Sequence, residues 1–373
     1  MVGRIALRPL LRVLRGARQD NKWAELKVLL KDRLFERRRP PKNQDQLPPV
    51  LFQMATSYWL SQAIYVAAKL GIADLLERGP KSSAELAVAT CSEPSALFRV
   101  LRALSSAGVL SQAGNNIFAL THLGKALRSN VPGSLRRIVI TLGEIHYQAC
   151  GELLHSVRTG SPAFNLVFGA SLFDHLQQDP QDGAAFNQGM TDLSSLLAHA
   201  VLLAYDFSGV ACIVDVGGGE GQLLRGILNL YPDITGIIFD SSNEIRSPQP
   251  PIKKEDRCSF IAGNFFDSVP ENAEAYLLCG VLHDWSDECA GIILRNCCKA
   301  MARNGRLLVV ETVVPQTNSA SFSKLLDINM MVMTCGRERT KSEFQILLHA
   351  AGFRLNRIIP TLAPQSIIEA IPS

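Results

Sequence analysis

Residues 211–221 read Ala-Cys-Ile-Val-Asp-Val-Gly-Gly-Gly-Glu-Gly, and they constrain the fold more tightly than any other stretch. The apolar run Ala211 to Val214 predicts a short buried strand that ends in Asp215, with the glycines following at once. Gln222 to Leu230 has the length and apolar spacing of a helix. Strand, glycine turn and helix together open a βαβ nucleotide-binding unit. Gly217, Gly219 and Gly221 lack a Cβ, so the turn can take unusual dihedrals and let a ligand touch backbone. The G-x-G-x-G spacing is tighter than the dinucleotide G-x-G-x-x-G, and no Lys-Ser/Thr follows, which excludes a phosphate-cradling P-loop. Thr235 to Phe239 reads as the next strand, closed by Asp240. That acid lies about 20 residues beyond the loop, where it can reach ribose hydroxyls. An ordinary tight turn would explain the glycines but has no need of the second acid.

The alternation continues downstream. Ser259 to Ala262 is a short strand leading into Gly263-Asn264-Phe265-Phe266. Ala275 to Leu282 is a strand ending in His283-Asp284-Trp285-Ser286-Asp287. Glu288 to Ala302 is a helix, and Gly305 to Val310 a strand ending in Glu311. Open α/β sheets bind ligands beyond the carboxyl ends of their strands. Asp215, Asp240, Asn264, His283 and Glu311 all fall at such ends, which is harder to dismiss than any one of them.

The 373 residues predict two domains, and 47% hydrophobic against 19% charged content is globular rather than disordered. A net charge of +4, concentrated toward the N-terminus, and the lack of a basic, aromatic-interleaved face argue against nucleic acid as a partner. No apolar run reaches the roughly 18 residues of a membrane span, so no stable membrane insertion is expected. Nine scattered cysteines without a CxxC pair suit a reducing, cytoplasmic setting, serving as small core residues. Residues 1–47 form a separate basic extension and linker. Arg4, Arg8, Arg12, Arg15 and Arg18 would line one helix face, as on a solvated extension, a mitochondrial transit peptide or an anionic membrane surface.

Val50 to Leu70 predicts a helix apolar nearly all round, of the kind buried against a second subunit. Ser82 and Glu85 form a capping-box signature, Ser92 to Ala107 is an amphipathic helix, and 109–112 with 117–120 flank Asn115-Asn116 as a hairpin. Helix, helix, hairpin is a winged-helix pattern over 48–140. Arg99 and Arg102 are the only basic residues on its candidate recognition helix, too few for DNA binding. Residues 141–373 hold connecting helices and the α/β domain.

From about Leu51 to Ile371 the chain resembles the S-adenosylmethionine-dependent, cation-independent small-molecule O-methyltransferases of plant, hydroxyindole and bacterial natural-product type. The resemblance rests on Val214-Asp215-Val216-Gly217-Gly218-Gly219-Glu220-Gly221, on Leu282-His283-Asp284-Trp285-Ser286-Asp287, and on Gly336-Arg337-Glu338-Arg339-Thr340. It implies an α/β fold: a Rossmann-like methyltransferase domain with an N-terminal, mostly helical winged-helix dimerisation domain that helps form the partner's pocket in a homodimer. It implies that Asp215 and the loop glycines Gly217, Gly219 and Gly221 hold the methionine end of the S-adenosyl-L-methionine cofactor, and Asp240 its ribose. Asn264, where the family usually has Asp, and Phe265 would meet the adenine, and Cys279 stands where the family often has Lys. His283 would be the catalytic base, flanked by Glu311 and Glu338. His146, Phe164, Phe186, Met190, Met330 and Met331 are implied as walls of the acceptor pocket.

The chemistry agrees with those assignments. A sulfonium methyl is already electrophilic, so no metal is required. A neutral hydroxyl is a poor nucleophile, and a histidine of ordinary pKa about 6.5 is suited to take its proton. An acid on the other ring nitrogen would fix the tautomer and stabilise the imidazolium. Two further readings compete with O-methylation of a small aromatic hydroxyl: N- or C-methylation on the same fold, and a non-enzymatic winged-helix regulator.

Overall fold

The computed structural model describes residues 47–114, 116–131, 133–241 and 257–373. The basic extension, Asn115 and the Arg37–Pro41 linker lie outside the described residues. The chain forms two compact units, divided between Leu196 and Leu197.

The N-terminal unit is mostly helical. The long apolar segment is two helices, Leu47–Ala55 and Tyr58–Lys69. Thr56 and Ser57 interrupt it by donating their hydroxyls to the carbonyls of Phe52 and Gln53, at 2.9 and 3.0 Å. Helix Ser83–Ala89 has the full capping box: Ser82 Oγ accepts from the Glu85 amide, and Glu85 accepts from the Ser82 amide at 2.7 Å. Helix Pro94–Ser106 starts at Pro94, not at Ser92, because Glu93 caps it through the amides of Ser95 and Ala96. Strands β1 (Lys81–Ser82), β2 (Leu110–Ala113) and β3 (Ile117–Leu120) form an antiparallel sheet in the order β1-β3-β2. Leu86, Leu97, Leu101, Leu104 and Phe118 close the core between helices and wing. Arg102 lies over the Phe98 ring.

Residues 141–196 group with this unit, whereas the sequence boundary at 140/141 placed them with the α/β domain. The reason is local. Arg136 Nε donates to Ala68 O at 2.7 Å, and Tyr65 and Lys69 both bond Glu144. A Cβ on Gly143 would sit 2.3 Å from the Tyr65 ring, so only glycine permits this helix–helix approach.

The C-terminal unit is a seven-stranded sheet in the order β11-β12-β8-β7-β4-β5-β6. Its strands are β4 (Cys212–Val216), β5 (Thr235–Asp240), β6 (Cys258–Ala262), β7 (Ala275–Cys279), β8 (Arg306–Glu311), β11 (Phe353–Pro360) and β12 (Ser366–Pro372). β4 to β8 run parallel, and the β11–β12 hairpin enters antiparallel against β8. The order reverses between β4 and β7, and that switch point opens a crevice at the carboxyl ends. Nearly continuous apolar strands such as Ala275–Cys279 follow from burial on both faces, one core cluster lying on each. Of the cysteines, all free, only Cys258 and Cys297 are buried and Cys91, Cys150 and Cys335 are exposed, so the core role expected of them holds for few. Among the described residues, no helix is long and apolar enough to cross a membrane.

The capping box gives a direct measure of local order in the winged unit. Ser82→Ala should lower its unfolding free energy by about 1 kcal/mol with an unchanged denaturant slope, read from urea titration by circular dichroism.

Candidate active site

β4 delivers Asp215 into the interior and then turns on glycines at positive φ: 68° at Gly217, 53° at Gly219 and 73° at Gly221. Space at Gly221 is tight as well: a Cβ there would fall 2.1 Å from Ile238 Cδ1, which would have to move. At Gly219 the Cβ direction is open, with nothing within 4 Å. Asp240, at the end of β5, fastens the loop. Its Oδ2 accepts from the Gly219 amide at 2.7 Å and its Oδ1 from Ser241 at 2.7 Å. The expected ribose acid is therefore also the loop's anchor, and each carboxylate oxygen keeps a free lone pair.

Asp215 is 2% exposed, and its Oδ1 is buried without a hydrogen-bond partner. Burial, and then the neighbouring Asp240 charge, push its pKa up to about 7, against the pull of the Leu224 amide in the following helix. An orphaned acceptor beside open backbone at a sheet switch point is built to receive a cation or a donor. Asn264 is exposed and receives the Phe266 amide at 3.0 Å, forming the turn after β6. Phe265 and Phe266 pack edge-on to Trp285, and Asn296 Nδ2 holds both their carbonyls. Cys279 ends β7, half-buried, its thiol pushed well above the usual range by burial, then by Asp215 and Glu311.

The strand expected to run to Leu282 stops at Cys279. Gly280, at φ 65°, breaks it, and His283 sits in a 3₁₀ turn, Leu282–Asp284, rather than at a strand end. The turn is held from three sides. Glu311 Oε1 accepts the His283 amide at 3.0 Å. The Arg337 amide donates to His283 O at 2.9 Å. Arg339, 1% exposed, donates to Leu282 O, to Trp285 O and to Asp287 Oδ1, at 2.9, 2.9 and 2.8 Å.

Within that frame His283 Nδ1 lies 2.7 Å from Glu338 Oε1. Thr312 Oγ1 donates to Glu338 Oε2, and the Glu338 amide donates to Asp327 Oδ1 at 2.9 Å. The two glutamates thus do different things: Glu338 holds the ring, and Glu311 holds the backbone that carries it. His283 is 19% exposed in its side chain and Glu338 is not exposed at all. His283 Nε2 lies 3.9 Å from Asp284 Oδ1, and the missing Cβ of Gly280 leaves room 3.7 Å from it. Burial favours neutral imidazole, but Asp284, Glu338 and Glu311 outweigh it and raise the pKa to about 10. Burial pushes Glu311 up to about 7 and raises Asp284 as well.

Met330 is buried and Met331 half-buried on helix Phe322–Met333. In the other unit Phe186 and Met190 are half-buried one turn apart on helix Pro180–Ala204, and His146 is half-buried in a π-helical turn. Phe164 is fully buried, stacked on Phe168 at 4.4 Å with His175 at its edge, as a core residue is. Sequence reasoning passed over Arg339, Thr312 and Asp327. Arg339 had a visible signal, an arginine beside the acid assigned to the base; Thr312 and Asp327 had none.

Comparison with known proteins adds the family. The O-methyltransferase domain family matches residues 150–354 and the O-methyltransferase dimerisation domain family residues 52–130. A phenazine O-methyltransferase of Lysobacter antibioticus is 42% identical over 329 residues, 87% of this chain and 96% of that protein. The phenazine-1-carboxylate N-methyltransferase of Pseudomonas aeruginosa is 32% identical over 312 residues, 83% of this chain and 92% of its own. The solved structure of human N-acetylserotonin methyltransferase in complex with SAM superposes with a TM-score of 0.83 at 28% identity, covering 89% of this chain and 99% of that one. A Rossmann-like sheet with a glycine-turn crevice, joined to a helical dimerisation domain, defines an S-adenosylmethionine-dependent methyltransferase. The chain belongs to the O-methyltransferase family. The residues at the crevice fit the cofactor: an unpaired buried carboxylate oxygen suits its ammonium, and the open face at Gly219 leaves room for it.

The buried acids set a pH signature. Asp215 and Glu311 bind protons more tightly folded than unfolded, so between about pH 4 and 7 the native state holds more protons. Stability must then fall as pH rises through that window. Asp215→Asn should remove part of the decline, seen as a flatter dependence of thermal midpoint on pH for the free enzyme.

Proposed function

We propose that the enzyme transfers the cofactor methyl to a hydroxyl of a small aromatic natural product, with His283 as general base. The observation that carries the reading is the 2.7 Å bond from His283 Nδ1 to a fully buried Glu338. It commits Nδ1 as the donor and leaves Nε2 as the basic nitrogen, on the side left open by Gly280.

Asp215 and the glycine loop would hold the amino-acid end of S-adenosylmethionine, Asp240 the ribose, and Asn264 with Phe265 the adenine, while Cys279 forms wall. When bound, the cofactor supplies a methyl on a cationic sulfonium, electrophilic without a metal. His283 takes the hydroxyl proton, and Glu338 stabilises the imidazolium. Glu311 keeps the turn in register through the His283 amide. Burial around the turn excludes water, and alignment of nucleophile and methyl can contribute several kcal/mol. Met330 and Met331, on helix Phe322–Met333, provide adaptable apolar walls for a flat ring.

The free enzyme holds His283 as imidazolium at neutral pH, its pKa being about 10. A bound cation lowers that value. The acid limb of kcat/KM, which reports free enzyme, should lie above the ordinary 6.5, and that of kcat at lower pH than that of kcat/KM. His283→Ala should abolish both limbs and slow single turnover about 10²–10⁴-fold, with cofactor affinity by calorimetry near normal. The loss should shrink for acidic phenols, and Glu338→Gln should lose less. An equal loss for all acceptors at every pH would make His283 a binding residue. No loss would favour N-methylation, the activity named for the Pseudomonas aeruginosa relative.

The working form is a homodimer. Leu51, Phe52, Met54, Tyr58 and Trp59 stand exposed on the first two helices, Phe52 at 66% and Trp59 at 58%, within the matched dimerisation domain. Light scattering should give twice the chain mass, falling to a single chain in Trp59→Glu; a fully active native monomer would refute the assignment.

A further inference from the structure

We propose that Thr312 is a positioning residue for the base: its hydroxyl holds Glu338 so that the other carboxylate oxygen meets His283 Nδ1. The inference rests on the reading of His283 given above and adds a residue to it.

The placement comes from two very short strands. β9 (Val313–Val314) pairs in parallel with β10 (Arg339–Thr340), Val313 opposite Arg339. The residue before each strand is therefore brought alongside, and these are Thr312 and Glu338. Thr312 is 2% exposed and its Oγ1 donates to Glu338 Oε2. Neighbouring donors are committed elsewhere. The Glu338 amide goes to Asp327, the Arg339 guanidinium to Leu282, Trp285 and Asp287, and that of Arg337 to Asp287 and Glu343. A carboxylate shut away from water needs a donor on each oxygen, or it rotates or takes up a proton. Glu338 has the imidazole on Oε1 and the threonine on Oε2.

The charged groups around Glu338 are His283 and Asp284 from the 3₁₀ turn, Glu311 from β8, Asp327 from helix Phe322–Met333, and Arg339 from β10. Removing the Thr312 hydroxyl leaves a buried carboxylate oxygen unpaired among them. The proton shared with His283 is then held more tightly and leaves only at higher pH.

The test compares Thr312→Val, which keeps shape but removes the donor, with Thr312→Ser, which keeps the donor. Thr312→Val should slow single turnover roughly 10- to 100-fold, the weight of one hydrogen bond to a charged group. Its acid limb should move to higher pH, with cofactor affinity and acceptor KM little changed. Thr312→Ser should restore rate and limb. In the free enzyme the His283 Nδ1–H proton resonance should shift in the valine variant and return in the serine variant, a reading independent of turnover. Wild-type rate and limb in Thr312→Val, or slow turnover that serine fails to rescue, would overturn the proposal. In a His283→Ala background the valine change should cost nothing more. If it costs its full amount there, Thr312 acts elsewhere and the proposal fails while the base assignment stands. If His283→Ala is itself fully active, the base assignment fails, and the Nδ1 resonance alone decides whether Thr312 orients the ring.

Discussion

A carboxylate with no exposed surface dictates much of its surroundings, and in this protein that carboxylate is Glu338. It is reached by an imidazole on one oxygen and a hydroxyl on the other, while its own amide is held by Asp327. Those three contacts come from three parts of the chain, residues 283, 312 and 327, separated by helices and strands. None can move without leaving a buried carboxylate oxygen or its backbone amide unpaired. The turn carrying His283, the end of β8 and the helix bearing Met330 are thereby tied to one point. Arg339 does the complementary work from the opposite charge, taking up carbonyls that a 3₁₀ turn cannot satisfy by itself.

The cofactor crevice is organised by a different balance. Burial disfavours the charge of both Asp215 and Asp240, and the nearby Asp240 charge adds to the effect on Asp215. Asp240 is compensated by the Gly219 amide of the loop it anchors and by the amide of the following Ser241. Asp215 has only the Leu224 amide and one orphaned oxygen. The uncompensated acid is thus the one facing the glycine turn, where a ligand cation would complete its environment. Perturbed acids of this kind cluster at functional sites.

Where local chemistry decides the structure, the sequence was legible. Helix Gln222–Leu230, the capping box at Ser82 and Glu85, the strand ending at Asp240 and the strand Ile117–Leu120 follow from spacing and caps that act over a few residues. The early end of β7 did not show, because Ala275 to Leu282 is apolar throughout and Gly280 reads as tolerable inside a strand. Its positive φ is imposed by the turn that Arg339 and Glu311 hold from afar. The allegiance of residues 141–196 was hidden for the same reason, since it depends on side chains meeting across long separations, such as Tyr65 with Glu144. The break at Thr56-Ser57 is local, but hydroxyls that bond back to preceding carbonyls are also common inside continuous helices.

The division of labour between the two glutamates shows how motif reading and geometry differ. As motifs, Glu311 and Glu338 are equivalent acids flanking a histidine. In the fold, Glu311 lies at the end of a central strand, where its side chain is level with the backbone of the turn on the neighbouring strand β7. Glu338 enters one residue before a two-residue strand, far enough along the crevice to face the ring. A strand-end acid can be placed only to the nearest residue of register. The short β9–β10 pair supplies the finer adjustment, and it does so by fixing Thr312 and Glu338 as neighbours. The feature that sets the direction of the imidazole is thus the register of four residues, a relation between distant segments that no single stretch of the chain records.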